Sequence, residues 1–386
     1  MNVVSMMFEL LRFDLFETEL CADIKNAITL DNLPDLYKLS KKHDLVHIIS
    51  DALDKNGLLE NEKAKIAFLQ ERIKAISRSE RQQYELDEIC KALEEAKISF
   101  VPLKGSVIRA LYPQSWMRTS CDIDILVKED SLESTAQYLC DKLGYTCKFK
   151  RSINALSLNA PSGVHLELHY DLTEGDRFGK EVLSHIWDYT TLKEGYQYWY
   201  LLNDDAFYFY HIAHMVKHFE SGGCGVRPFL DLWFLDNLPQ VDFAKRDALL
   251  EEGKLLKFAN ACRKLSSVWF GKDANNDFSK QLEDYILRGG VYGNVENRIA
   301  VQQQKKGGRL KYVMSKIFVP YKILKIHYPV LEKHRYLMPF MQVRRWFKLL
   351  FRGNLKNTSK DIKYSNSITT QQAEKMQTFL KDLGLK

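Results

Sequence analysis

The chain has 386 residues, of which 45% are hydrophobic and 27% charged, with a formal net charge of +6. These are ordinary values for a soluble globular protein long enough for two or three domains, and no stretch approaches the roughly 18–20 consecutive apolar residues that would span a bilayer. The net charge hides an asymmetry: residues 301–386 carry 19 Lys and Arg against four acids, and the first 300 residues carry 37 against 46.

Seven cysteines stand singly, without a C-x-x-C pair, which suits a reduced compartment and excludes a zinc or disulfide framework. The first 20 residues carry acids where a targeting segment needs an unbroken apolar core, so they read as an amphipathic helix. A cytoplasmic protein is expected. Its basic tail suits an anionic partner, an intramolecular clamp or a solvated helical face.

Residues 1–95 read as a helical region. Asp31 can cap a helix with Pro34 in its first turn, and a second helix ends at Asn56-Gly57. A long third keeps helical spacing through Ile66, Leu69, Ile73 and Ile76, then Leu86, Ile89 and Leu93. No catalytic group stands out there. The texture changes at Ile98, where a short buried strand runs into the turn Lys104-Gly105-Ser106 and a helix that stops at Pro113. Asp122-Ile123-Asp124 opens the next strand, and a helix closed by Gly144 follows. Two further strands, a turn at Pro161-Ser162-Gly163 and a strand over 164–172 complete an α+β unit over residues 96–200. Residues 201–300 read as a second helical domain. Residues 301–386 read as a basic helical region broken by Pro320, Pro329 and Pro339, with a polar linker over 352–372 and one terminal helix. The tail aromatics recur at helical spacing, which predicts that they pack inward and leave Lys and Arg on the wet face.

The chemistry gathers in the α+β unit. Side chains alternate along a strand, so Asp122 and Asp124 share one face while Ile123 and Ile125 enter a core. Two carboxylates aimed at one spot repel each other unless a cation lies between them, and hard oxygen ligands favour magnesium or manganese. Taken alone, the pair reads rather as a solvated strand edge; its flanks decide for the metal. Glu167, between Leu166 and Leu168, shares its face with His165 and His169 and would complete a three-acid set. It is preferred over Asp171, which falls at the strand's end. Gly105-Ser106, between a strand and a helix, suits the close approach of a phosphate. His211, His214 and His218 share one helix face, expected to look into the cleft.

An apolar-flanked Gly-Ser turn, then Asp-x-Asp, then an apolar-flanked Glu resembles the nucleotidyltransferase superfamily related to DNA polymerase β. More closely, "FVPLKGSVIRALYP" followed by "MRTSCDIDILV" resembles the family of uncharacterised nucleotidyltransferases. These have a leading helical region, a Leu-Lys-Gly turn, an Arg shortly before Asp-x-Asp, and a helical C-terminal region with His-rich and Trp/Asp-containing helices; here Asp231 and Trp233 match the last. The resemblance implies that Asp122, Asp124 and Glu167 bind Mg²⁺ or Mn²⁺ and carry catalysis. Lys104, Gly105, Ser106 and Arg118 would hold the phosphates of an NTP, with Arg118 alternatively orienting the acids. The implied activity moves a nucleoside monophosphate to a hydroxyl or phosphate acceptor with release of pyrophosphate, the acceptor being a small molecule or a protein rather than a nucleic acid. An inactive nucleotide-binding or regulatory module, or a toxin-like transferase acting on protein or tRNA, are the alternatives. Fifteen residues separate Ser106 from Asp122, so a longer connecting loop than in many relatives is expected.

Overall fold

A chain whose apolar residues keep helical spacing at both ends and strand spacing in the middle must bury a sheet between helices. The computed structural model does this, and it describes residues 2–152, 154–173, 177–291, 293–351, 361 and 363–386. Helices α1 (Val3–Phe16), α2 (Ala22–Ala27), α3 (Leu33–Lys42) and α4 (Val46–Lys55) lead into the 34-residue α5 (Glu62–Glu95). Asn61 caps α5 by accepting a hydrogen bond from the Ala64 amide at 3.0 Å. The halves of α5 differ. Leu86, Ile89 and Leu93 are buried against the sheet, whereas Ile66, Ile73 and Ile76 face solvent although their spacing is equally regular.

Strands β1 (Phe100–Pro102), β2 (Asp122–Val127), β3 (Thr146–Arg151), β4 (Ala155–Asn159) and β5 (His165–His169) form one sheet in the order β1-β2-β5-β4-β3. Helix α6 (Gly105–Ile108) follows β1, and α7 (Leu132–Leu143) follows β2. The parallel pair β2–β5 lies in the interior, and every other pairing is antiparallel. Ile123, Ile125 and Val127 pack with Leu166 and Leu168 in a core shared with α5 and α7. The opposite face carries Leu126 into a larger core that draws on residues from Met6 to Leu385. Both faces of β2 are therefore covered. This is the usual state of parallel strands, and it makes acids there costly.

After β5 come α8 (Lys180–Leu183), a hairpin of β6 (Thr190–Leu192) and β7 (Tyr200–Leu202), and helices α9 (Asp204–Glu220) and α10 (Arg227–Asp236). Helices α11 (Phe243–Glu252), α12 (Leu256–Phe270), α13 (Asp277–Gly289) and α14 (Val295–Lys306) follow. The tail holds α15 (Arg309–Ile317), α16 (Tyr321–His327), α17 (Val330–Lys333), α18 (Met338–Phe351) and the terminal α19 (Thr370–Asp382). The fold is α+β, with the sheet between helical regions. Of the expected linker, residues 352–360 lie outside the described residues. Residues 363–367 are helical, and Ser365 is buried against Gln303.

Two expectations are corrected. The helix after Gly105 lasts only to Ile108 and continues as a 3-10 turn, Arg109–Leu111, so the long connection to β2 is filled by short turns. The tail aromatics do not all turn inward: Tyr336 is 73% exposed, Phe340 70% and Phe347 56%. Helical spacing fixes which residues share a face; it does not say whether anything covers that face.

Candidate active site

The register of β2 against β5 builds the centre of the site. Asp124 lies opposite Glu167, and Asp122 opposite His165. His169 is two residues beyond Glu167 on the same face, and its Nε2 lies 2.8 Å from Asp124 Oδ1 and 3.4 Å from Glu167 Oε2. One ligand atom from each of Asp124, Glu167 and His169 lies within 4.8 Å of the others, so these three could hold a metal ion. The sequence placed Asp122 in that trio. The structure sets it beside the trio, two residue pairs nearer the strand start and lining the cavity, and puts His169 in the trio.

Lys104 completes the cluster, its Nζ 2.7 Å from Asp124 Oδ1. Burial opposes the Asp124 charge, but the Lys104 ammonium and the His169 hydrogen bond outweigh it and hold this carboxyl below the usual range. Lys104 is in turn pushed up: burial works against its charge, and Tyr210 and Asp124 more than offset it. Burial also opposes a charged His169, yet hydrogen bonding to Asp124 and Glu167 raises its pKa. Glu167 is lowered, chiefly by the hydrogen bond with His169. Asp122 goes the other way. Burial, then the neighbouring Asp124 charge, push it up to about 6. Asp122 is thus where the uncompensated negative charge of the site gathers.

The turn ahead of β2 is strained and tightly packed. Lys104 has φ 47° and ψ −123°, a left-handed conformation that a residue with a side chain adopts at a cost of roughly 1–3 kcal/mol. It aims the ammonium at Asp124. At Gly105 a Cβ would lie 3.0 Å from Ser120 Cβ, tighter than ordinary contact, so a larger residue here would press on Ser120. Arg109, buried behind the turn, donates from Nε to the Gly105 carbonyl at 2.9 Å, and from Nη2 to Gln82 Oε1 and Ser120 Oγ, each at 3.2 Å. The Ser106 amide donates to the Leu103 carbonyl, while the Ser106 hydroxyl is buried without a hydrogen-bond partner among the described residues. A four-residue helix has too few aligned peptides for the dipole expected to favour a phosphate here. Electrostatic attraction at this turn therefore rests on Lys104.

Arg118 is committed elsewhere. Its Nε and Nη2 form a two-pronged pair with the Asp231 carboxylate on α10 at 2.6 and 2.7 Å, and Nη1 donates to the Thr119 carbonyl. Tyr112 adds a third hydrogen bond to Asp231 at 2.7 Å. Asp231, matched to the family's Trp/Asp-containing helix, thus sits in a buried pair that lines the cavity. Asp171, the rejected alternative to Glu167, binds the Thr173 amide and hydroxyl and so shapes a turn.

The acids open into a cavity of about 890 Å³, within the size range of small-molecule sites. As the spacing implied, His211, His214 and His218 of α9 line it. His211 Nε2 lies 2.9 Å from the Pro228 carbonyl, and the Nε2 atoms of His214 and His218 are 2.8 Å apart. Further lining comes from the N-terminal helical region, where the sequence showed no chemical group: Lys41, Lys42, Asp44 and Arg78 line the cavity with Arg227 of α10. Asp44 Oδ2 lies 2.8 Å from Arg227 Nη1 and accepts from the Thr119 hydroxyl at 2.7 Å. No local motif marks these residues. They meet only because the helices fold back over the sheet.

Acids on a parallel strand pair of a mixed sheet, beside a constrained Gly-Ser turn and enclosed by helices, define an α+β protein with a polar catalytic-type cleft. Residues 31–271 match the family model described as uncharacterised nucleotidyltransferase, and the chain belongs to that family. Neither a curated protein nor a solved structure matches it.

Proposed function

We propose that the protein is a metal-dependent nucleotidyltransferase that moves a nucleoside monophosphate from an NTP to a hydroxyl or phosphate acceptor. The observation that carries this reading is the Asp124–Glu167–His169 cluster with Asp122 beside it, its acids lining a cavity that Lys41, Lys42, Arg78 and Arg227 also line. The donor set fits a hard divalent cation: carboxylate oxygens converge where burial and the neighbouring Asp124 charge already push Asp122 up to about 6. Asp122, Asp124 and Glu167 would hold Mg²⁺ or Mn²⁺, which when bound would neutralise charge on the transferring phosphoryl group.

The chain's own residues do the rest. Lys104 neutralises Asp124 before substrate arrives and is near enough to the turn to meet the phosphates. Gly105 lets the backbone come close, and Ser106 offers a buried hydroxyl with no partner among the described residues. Arg118, paired with Asp231 and the Thr119 carbonyl, holds the cavity wall rather than orienting the acids or touching phosphate. The acceptor oxygen attacks the α-phosphorus, the bond from that phosphorus to the α–β bridging oxygen breaks, and pyrophosphate leaves. The acceptor proton passes to a general base, a role the family resemblance offers to Glu167.

Incubation with labelled NTPs and Mg²⁺ or Mn²⁺, with wild type and Asp122→Ala/Asp124→Ala side by side, tests the reading. Label transfer or metal-dependent NTP binding by the wild type, lost in the double variant, is expected. Identical behaviour of the two proteins would reject an active transferase and favour the inactive module.

A further inference from the structure

Exposed large hydrophobic side chains are not spread evenly over the surface. Of 21 in the described chain, eleven fall between Leu310 and Phe347. They form stripes. On α15, Leu310, Met314 and Ile317 recur at i, i+4 and i+7; on α16, Ile323 and Ile326 recur at i, i+3; on α18, Phe340, Val343 and Phe347 recur at i, i+3 and i+7. On each helix the residue turned inward is buried: Tyr312, Leu324 and Gln342 respectively. The helices are therefore seated the right way round, with an apolar stripe left outward. The end of α15 also meets α18, because Trp346 Nε1 donates to the Ile317 carbonyl at 2.9 Å and its ring meets Phe318 with centroids 5.4 Å apart. Exposed apolar surface of this kind marks an interaction face.

Charge selects the partner. Residues 309–348 carry ten Lys and Arg against one acid, Glu332. A second copy of the chain would set two such basic surfaces against each other. A nucleic acid would meet the bases but leave Leu310, Met314, Ile323 and Ile326 without apolar contact. An anionic bilayer surface satisfies both, taking aliphatic and aromatic side chains at the acyl boundary and Lys and Arg at the headgroups. No described helix is long and apolar enough to cross a membrane, so contact would lie in the plane of the interface.

We propose that α15, α16 and α18 form a surface that docks the protein on membranes rich in anionic phospholipid. The test is co-sedimentation of the full chain with vesicles of phosphatidylcholine alone and of phosphatidylcholine mixed with phosphatidylglycerol, at low and high salt, with light scattering of the free protein. Binding to the anionic vesicles about tenfold or more above the neutral ones is expected, weakening as salt screens the bases. The triple variant Leu310→Ser/Phe340→Ser/Phe347→Ser should lose on the order of tenfold in binding while melting as the wild type does, since all three side chains are exposed. Three results would overturn the proposal: equal binding to both vesicle types, a triple variant that binds like the wild type, or a wild-type dimer that the variant dissolves and that ignores vesicles. Displacement from anionic vesicles by RNA, with the triple variant still holding RNA fully, would reassign the surface to nucleic acid.

Discussion

Strands β2 and β5 and the helices of the tail break the rule of burial in opposite directions. In the sheet, Asp124 and His169 are buried among leucines and isoleucines; in the tail, Phe340 and Tyr336 stand in solvent among lysines and arginines. Buried charge is costly unless it is paired, and the sheet pairs it with Lys104 and the Glu167–His169 contacts. Exposed apolar surface costs stability only in the sense that burial would have added to it. The two regions should therefore answer mutation very differently.

The largest effect is expected at Asp124. Asp124→Ala should abolish nucleotidyl transfer and, in the metal-free protein, cost about 3–5 kcal/mol of unfolding free energy by urea titration, because Lys104 is left as a buried charge without its nearest partner. Asp231→Asn should cost a similar amount or slightly less by stranding the Arg118 guanidinium. Any loss of activity there should come with loss of fold, which circular dichroism would show.

Asp122→Asn should break the pattern within the sheet itself. The Asp122 carboxyl sits at about 6 in the fold, against about 3.9 in an unfolded chain. The folded protein binds the proton more tightly, so this group's stabilising contribution is complete below about pH 4 and is lost as pH rises through 6. Asn cannot ionise. The metal-free variant should therefore be more stable than the wild type at pH 8, by up to about 3 kcal/mol, with the difference vanishing near pH 4. Activity should be lost all the same. Thermal melts across that range check the sign; a less stable variant at pH 8 would refute the account of Asp122.

Gly105→Ala ranks next, at about 1–3 kcal/mol, because its Cβ must displace Ser120. Phe340→Ser comes last. It should change stability by no more than about 0.5 kcal/mol in a melt, and a large loss would mean that the tail stripe is covered in the free protein.

How much could be read beforehand follows the same division. Period two along "CDIDILV" and "VHLELHYDL" placed each acid on its face correctly, because alternation is a local property of any strand. Which acids would meet was not local. The parallel register set Asp124 against Glu167 and Asp122 two residue pairs away, against His165. Lys104 was recognisable as a cation near the phosphates, yet its ion pair with Asp124 depends on a left-handed backbone that no side-chain pattern announces. Arg78 and Lys41 reach the cavity only through the packing of helices distant in sequence. In the tail, spacing revealed the helices and misjudged their faces, since amphipathicity calls for a partner without naming one.

Arg118 and Asp231 are 113 positions apart in the chain and joined by two hydrogen bonds. The loop that delivers β2 is thus riveted to a helix made long after it. A fragment cut at residues 96–200 would take the guanidinium without its carboxylate and strip the Leu126 face of the helices that cover it. The sheet is not a cassette that could be moved to another chain; whatever chemistry it performs travels with the helices on both sides.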